Sequence, residues 1–123
     1  MEMQLKKTLV LGASENPQRY SYLAIQKLLL HDHPVLAIGK KEGSVNGILI
    51  TTNKEVFTGV DTVTLYLNAA HQKQYYDYIL SLHPQRIIFN PGAENNELAA
   101  LARKNGIETK EACTLVMLAT GQY

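Results

Sequence analysis

Short runs of apolar residues alternate along this chain with longer segments in which apolar residues recur every three or four positions. The runs have no polar face, which is typical of strands buried on both sides of a parallel sheet. Several are rich in β-branched residues and end at glycine or at Asn-Pro-Gly. Four strands are predicted at residues 8–11, 35–38, 61–67 and 86–89, with two shorter ones at 47–50 and 107–109.

The segments between these runs have the periodicity of helices that bury one face. The sequence HDHP at 31–34 and the glycine at position 106 are both typical helix ends. Asn68, and either Asn95 or Asn96, are placed to cap the helices that follow them. The predicted helices cover 22–30, 70–82, 94–105 and 112–119, with a short one beginning at Asn53.

Strands that alternate with amphipathic helices predict a mostly parallel sheet covered on both faces. The expected fold class is α/β, a Rossmann-like three-layer α/β/α arrangement with a sheet of about five to six strands. The chain has 123 residues, so a single domain spanning 1–123 is expected.

Composition and charge exclude several classes of protein. The net charge of +1 argues against a general nucleic-acid binder, which would carry a basic stripe. No apolar stretch approaches the ~20 residues of a membrane span, and the first residues lack a signal-peptide pattern. The one cysteine fits a reducing compartment. We therefore expect a soluble cytoplasmic protein with no nucleic-acid or membrane partner.

Ligands of such sheets bind beyond the carboxyl ends of the strands, which directs attention to the loop after the first strand. Gly12 and Ala13 allow a tight turn, and Ser14 adds a hydroxyl. Arg19 and Ser21 lie where the next helix should begin. A helix N-terminus and an arginine both favour phosphate, so this loop predicts an anion site. The alternative is a simple turn, because the strict G-x-G-x-x-G pattern is absent.

The loop after the second strand reads Gly39-Lys40-Lys41 where NAD-binding domains usually have an acid for the ribose hydroxyls. Lys40 and Lys41 would instead favour a further phosphate on the ribose, as in coenzyme A or NADP. The alternative is that both lysines are simply solvated.

Two later loops complete the predicted cleft. Asn68 either contacts the ligand or only caps its helix. Asn90, Pro91 and Gly92 follow the strand at 86–89, where the glycine would admit a ligand closely. The alternative for these three residues is a plain Pro-Gly turn.

No catalytic set and no metal site can be assembled from the sequence. The four histidines show no metal-ligand spacing, and Cys113 has no nearby base and is expected to be a buried structural residue. Tyr75, Tyr76 and Tyr78 share one predicted helix, on which Tyr75 and Tyr76 are expected to pack in the core and at least one of the three should face outward. That tyrosine would suit a homodimer or a partner protein.

The segment VLGASENPQRYS at 10–21 resembles the V-G-A-S-x-x-P-x-R-x-S opening of the small CoA-binding-domain proteins. These are stand-alone relatives of the nucleotide-binding domain of succinyl-CoA synthetase α subunits. The similarity continues through the second strand and its lysine loop, through the strand and Pro-Gly turn at 87–92, and through the helix at 96–107. Cys113 also falls where the family often has a cysteine. The family usually reads N-P-K where this chain has Gly39-Lys40-Lys41, so either lysine can be the equivalent one.

The resemblance implies a site for a CoA molecule. Its pyrophosphate would meet Gly12, Ala13, Ser14 and Arg19. Lys40 would lie beside the adenosine, and Asn68, Pro91 and Gly92 would line the cleft.

Three functions follow from the sequence. The first is a module that binds coenzyme A or an acyl-CoA without catalysing a reaction, since no acid–base pair is evident. The second is an enzyme, or a subunit of one, that uses NADP or an acyl-CoA. The third is a scaffold domain that has lost its ligand.

Overall fold

Seven strands and five α-helices make up the computed structural model, which describes residues 4–123. The strands are β1 Thr8–Ala13, β2 Val35–Gly39, β3 Gly43–Val45, β4 Ile48–Thr51, β5 Thr62–Leu65, β6 Arg86–Phe89 and β7 Glu108–Glu111. The helices are α1 Tyr20–Leu30, α2 Ala69–Gln72, α3 Tyr76–Ser81, α4 Asn96–Lys104 and α5 Thr114–Ala119, with a 3₁₀ turn at Lys73–Tyr75.

The strands form one sheet in the order β3-β4-β2-β1-β5-β6-β7. Every neighbouring pair is parallel except β3 and β4, which are antiparallel. The central strand β1 pairs with β2 on one side and β5 on the other, so that Leu9 lies between Leu36 and Val63. The chain therefore builds the sheet outward from β1 in both directions.

Each face of the sheet has its own hydrophobic core. Leu9 and Leu11 of β1 pack in the cluster that contains Ile79 of α3 and Leu98 of α4. Val10, which points to the other face, packs in the cluster that contains residues of α1 and α5. This alternation along one strand places helices on both sides. The Rossmann-like α/β/α prediction is therefore confirmed.

The sheet has one strand more than the upper end of the prediction, because β3 lies in a segment predicted as a polar loop. β3 is joined to β4 by Asn46 and Gly47, both with positive φ (48° and 84°). Two positive φ values in succession are the requirement of the tight hairpin turn that Asn-Gly favours. The dipeptide was therefore the sequence signal for this hairpin.

Two other predicted elements and one predicted side-chain orientation differ in the structure. The helix predicted at 70–82 is broken into α2, a 3₁₀ turn and α3, and no helix forms at Asn53. Tyr75 and Tyr76 are half-buried and Tyr78 is buried, so the outward-facing tyrosine expected there is not found. Each of these tyrosines packs on the hydrophobic core instead.

In the part of the chain that the structure describes, no helix is long and apolar enough to cross a membrane.

Candidate functional site

A cleft of about 910 Å³ opens at the carboxyl ends of the central strands. It lies where β1 is flanked by β2 and β5, the point at which the strand order reverses. Ligand sites of this fold class form at that point. The volume lies within the range of about 300–1,000 Å³ for small-molecule sites. Ten of the eleven residues predicted for the site line this cleft: Gly12, Ala13, Ser14, Arg19, Ser21, Lys40, Lys41, Asn68, Pro91 and Gly92.

The turn after β1 is shaped by backbone conformation and by two short side chains. Gly12 has a φ of +95° and lies at an irregularity in the β1–β2 register. A Cβ at this position would lie 3.0 Å from the carbonyl carbon of Tyr66 in the adjacent strand-end segment. Ser14 Oγ accepts a hydrogen bond from the Asn16 amide (3.1 Å), and Asn16 Oδ1 accepts one from the Gln18 amide (3.0 Å). These two hydrogen bonds fix the backbone conformation of the turn, which lines the cleft.

Helix α1 presents its N-terminus to this turn. Its N-cap residue, Arg19, makes no side-chain capping hydrogen bond, and the first turn of the helix contains no acid. The amides of an uncapped first turn carry partial positive charge. Arg19 is exposed and Ser21 is buried, and both line the cleft. The arrangement can bind an anion.

The lysine loop, residues 40–42, forms the second positively charged wall. Gly39 precedes it and lies directly against β1, since a Cβ there would overlap the carbonyl oxygen of Ala13. Lys40 and Lys41 are both exposed and line the cleft. Both lysines therefore line the same cleft as the N-terminus of α1.

Glu15 is a cleft residue that sequence analysis missed. Its Oε2 accepts a hydrogen bond from the backbone amide of Ser44 in β3 (3.2 Å). Gly43 makes room for this carboxylate, because a Cβ there would lie 2.5 Å from the same oxygen. Only the position of Glu15 within the loop after β1 could have suggested it.

The opposite wall comes from the loops that follow β5 and β6. Asn68 caps α2 as predicted, since its Oδ1 accepts a hydrogen bond from the His71 amide (3.0 Å). Pro91 and Gly92 are exposed along the cleft, and the Gly92 amide donates to Glu94 Oε1 (2.8 Å). This wall is turn backbone rather than charged side chains.

Asn90 is the one predicted site residue that does not reach the cleft. Its Nδ2 donates to Thr64 Oγ1 (2.7 Å) and to the Leu65 carbonyl (2.9 Å). Its Oδ1 accepts a hydrogen bond from the Thr114 amide (2.9 Å). The side chain is buried, and it links β5, β6 and α5 beneath the cleft.

Gln72 is a second residue that sequence analysis did not assign to the site, and it supports the wall formed by the loops after β5 and β6. It is fully buried, and its Nε2 donates to the carbonyls of Leu67 (2.8 Å) and Ala93 (2.7 Å). Its Oε1 accepts a hydrogen bond from Asn95 (2.9 Å), which also caps α4. Gln72 thus joins the loops after β5 and β6.

Tyr66, which lines the cleft, and Cys113 are two further reactive residues of this region, and His71 is a third in the lining. The Tyr66 hydroxyl is buried and has no partner among the described residues, and burial raises the pKa of this phenol far above its usual value. The nearby hydroxyls of Thr64 and Thr114 hydrogen-bond each other instead (2.8 Å). Cys113 is half-buried, less than expected. Within residues 4–123, no group of three or more His, Cys, Asp and Glu side chains could hold a metal ion.

Comparison with known proteins gives the chain a family. No curated protein matches it. A crystal structure of an uncharacterized protein is 50% identical, covers 98% of this chain and 100% of its own, and superimposes with a TM-score of 0.96.

Two more distant structures share the fold. A hypothetical protein from Pyrococcus horikoshii OT3 is 19% identical over 95% of this chain and 84% of its own, with a TM-score of 0.86. A Thermus thermophilus protein, cell-free ID.343, is 18% identical over 97% of this chain and 91% of its own, with a TM-score of 0.85.

The model of the CoA binding domain family matches residues 6–119. With nearly the whole chain matched, the protein belongs to the CoA binding domain family.

Proposed function

We propose that this protein binds coenzyme A or an acyl-CoA in the cleft, as a binding or regulatory module that catalyses no reaction. The observation that carries the proposal is the meeting of two positive walls in one cleft. The uncapped α1 N-terminus with Arg19 forms one, and Lys40 with Lys41 forms the other. Coenzyme A has phosphate at two separate places, a pyrophosphate and a ribose phosphate, and so requires two such walls.

Each wall suits one of these phosphates. The turn at Gly12 and Ser14 brings backbone close to a ligand, and Arg19 can donate two parallel hydrogen bonds to a pyrophosphate. Lys40 and Lys41 offer flexible ammonium groups, which suit a terminal phosphate that points toward solvent.

The proposal assigns no reaction to the cleft. Nucleophilic catalysis normally needs a nucleophile paired with a base, and Ser14 Oγ, a hydroxyl that lines the cleft, is held by the Asn16 amide of its own turn (3.1 Å).

NADP is the alternative ligand, because its ribose also carries a phosphate that the two lysines would attract. An enzyme that uses NADP or an acyl-CoA, and a scaffold domain without a ligand, are the competing functions.

Thermal-shift and calorimetric titrations with CoA, acetyl-CoA, NADP and NAD separate these functions. We expect CoA and acetyl-CoA to raise the melting temperature, since a ligand at ~100 times its Kd adds about 2.7 kcal/mol to stability. A shift with NADP alone would favour the alternative of an enzyme that uses NADP. Stabilisation by NAD alone would contradict the role of the lysines, and no shift with any of the four would favour the scaffold.

A further inference from the structure

The lysine loop is held at one end by the last residue of β1 and at the other by the turn that follows β1. At the first end, the backbone of Gly39 lies against the carbonyl of Ala13, too close for any side chain. At the second end, Glu15 accepts a hydrogen bond from the Ser44 amide (3.2 Å). The two lysines lie between these attachments.

The second attachment depends on one side chain. β3 is a three-residue strand at the edge of the sheet, paired with β4 alone. Short edge segments open locally at little free-energy cost. Glu15 is the one described side chain that hydrogen-bonds the β3 backbone from the turn after β1.

The charge of Glu15 is unexpected at this place. A carboxylate in a cleft built for phosphate repels the ligand, so electrostatics alone would disfavour it. Gly43 nevertheless leaves space for the carboxylate, with 2.5 Å between an ideal Cβ and Oε2. The position therefore favours a hydrogen-bond acceptor despite its charge.

We propose that Glu15 is a positioning residue that gives the cleft its preference for CoA over dephospho-CoA, by holding the lysine loop where Lys40 and Lys41 can meet the ribose phosphate. The inference rests on the proposed function. A lysine ammonium on a long flexible stem binds a phosphate well only if its backbone is already in place, because ordering it otherwise costs conformational entropy.

The test compares the Kd values of CoA and dephospho-CoA, two ligands that differ only in the ribose phosphate. Calorimetry on the full chain should show that the unmodified protein prefers CoA about tenfold or more, as expected of a charge-assisted bond. Glu15→Ala should lose most of this preference while dephospho-CoA binding changes little. Simple electrostatics predicts the opposite, since removal of a negative charge would strengthen the phosphate contact.

Three further variants separate the hydrogen bond from charge and from folding. Glu15→Gln keeps an acceptor oxygen and should keep the preference. Gly43→Ala should displace the intact Glu15 carboxylate and reproduce the loss. Glu111→Ala removes an exposed negative charge that does not line the cleft and leaves the bond intact, so the preference should hold. Hydrogen exchange at the Ser44 amide, without ligand, should accelerate in Glu15→Ala and in Gly43→Ala only.

Each contrary result has a definite meaning. An unchanged or increased preference in Glu15→Ala overturns the inference, and so does unaltered exchange at Ser44. Equal affinity of the unmodified protein for both ligands also overturns it, while the proposed function stands. Failure of the unmodified protein to bind either ligand overturns the proposed function itself and the inference with it.

Discussion

At the scale of single residues, Gly39 sets how closely the second strand approaches the first. A Cβ at this position would overlap the Ala13 carbonyl oxygen, a backbone atom that cannot rotate away. Overpacking of this kind costs about 1–3 kcal/mol, so Gly39→Ala should lower the free energy of unfolding by that amount. Denaturant titration measures the change. Gly43→Ala is the matched control, since its methyl meets only the movable Glu15 carboxylate; equal losses in both variants would contradict the packing argument.

Gln72 supplies a second prediction at this scale. Gln72→Ala leaves the buried carbonyls of Leu67 and Ala93 without their donor. An unsatisfied buried polar group costs about 1–3 kcal/mol, so the loss of stability should be at least that large. Gln74→Ala is the control, because Gln74 is exposed and its substitution should change stability by less than about 0.5 kcal/mol. Similar melting temperatures for the two variants would show that the network under the cleft is dispensable.

At the scale of elements, helix α1 has a cationic residue, Arg19, at the N-cap position instead of a side chain that caps the helix. Arg19 has the extended backbone of an N-cap residue (φ −86°, ψ 142°) but makes no capping bond. Arg19→Asp should therefore stabilise the ligand-free protein by about 0.5–2 kcal/mol, because an aspartate accepts hydrogen bonds from the first-turn amides. The same change should weaken CoA binding more than tenfold, through the lost cation and the new repulsion.

Arg19→Ala separates the two effects. It should weaken binding without the gain in stability, and thermal melts with calorimetry measure both quantities. If Arg19→Asp bound CoA as tightly as the unmodified chain, Arg19 would have no place in the site.

Elements whose own residues form a clear hydrophobic pattern were predictable, and elements that depend on contacts with distant residues were not. The apolar runs of β1, β2 and β6 identify buried strands because no other environment suits residues that are apolar on both faces. β3 holds one buried apolar residue, Val45, and owes its structure to pairing with β4. The break between α2 and α3 has no glycine or proline to mark it.

At the candidate site, the sequence predicted which loops line the cleft better than it predicted where each side chain points. The carboxyl-end rule brought Arg19, Lys40 and Pro91 to one cleft because topology alone decides which loops meet. Asn90 was predicted at the same edge, but its side chain turns inward to satisfy the buried groups of β5 and α5. The contact that Glu15 makes could not be predicted, since its bond to Ser44 joins residues 29 positions apart.

At the scale of the whole molecule, one buried histidine links stability to pH. Burial, with the nearby charges of His31, Lys6 and Arg86, lowers the pKa of His33 below its usual value of about 6.5. The unfolded chain therefore binds a proton more readily than the folded one. The stability that neutral His33 provides is present above the unfolded pKa and is lost as pH falls below it, by at most about 1.4 kcal/mol per pH unit.

His33→Asn should flatten this dependence between about pH 7 and pH 5. The His33 Nδ1 accepts a hydrogen bond from the Lys6 amide (2.9 Å), and the Asn oxygen can replace this acceptor without titrating. Denaturant titrations across this pH range test the expectation. The unmodified chain is the reference. Parallel slopes for the two proteins would contradict the assignment.

The central position of β1 also orders events during synthesis. β1 leaves the ribosome before either neighbour, and its second partner, β5, follows about fifty residues later. At ~5–20 residues per second, several seconds pass before β5 has been synthesised and can pair with the exposed edge of β1. The turn after β1 and the lysine loop after β2 line one side of the cleft, and the loops after β5 and β6 line the other. A nascent chain thus has no complete cleft until β5 and β6 have paired, so the proposed ligand could bind only after both strands have joined the sheet.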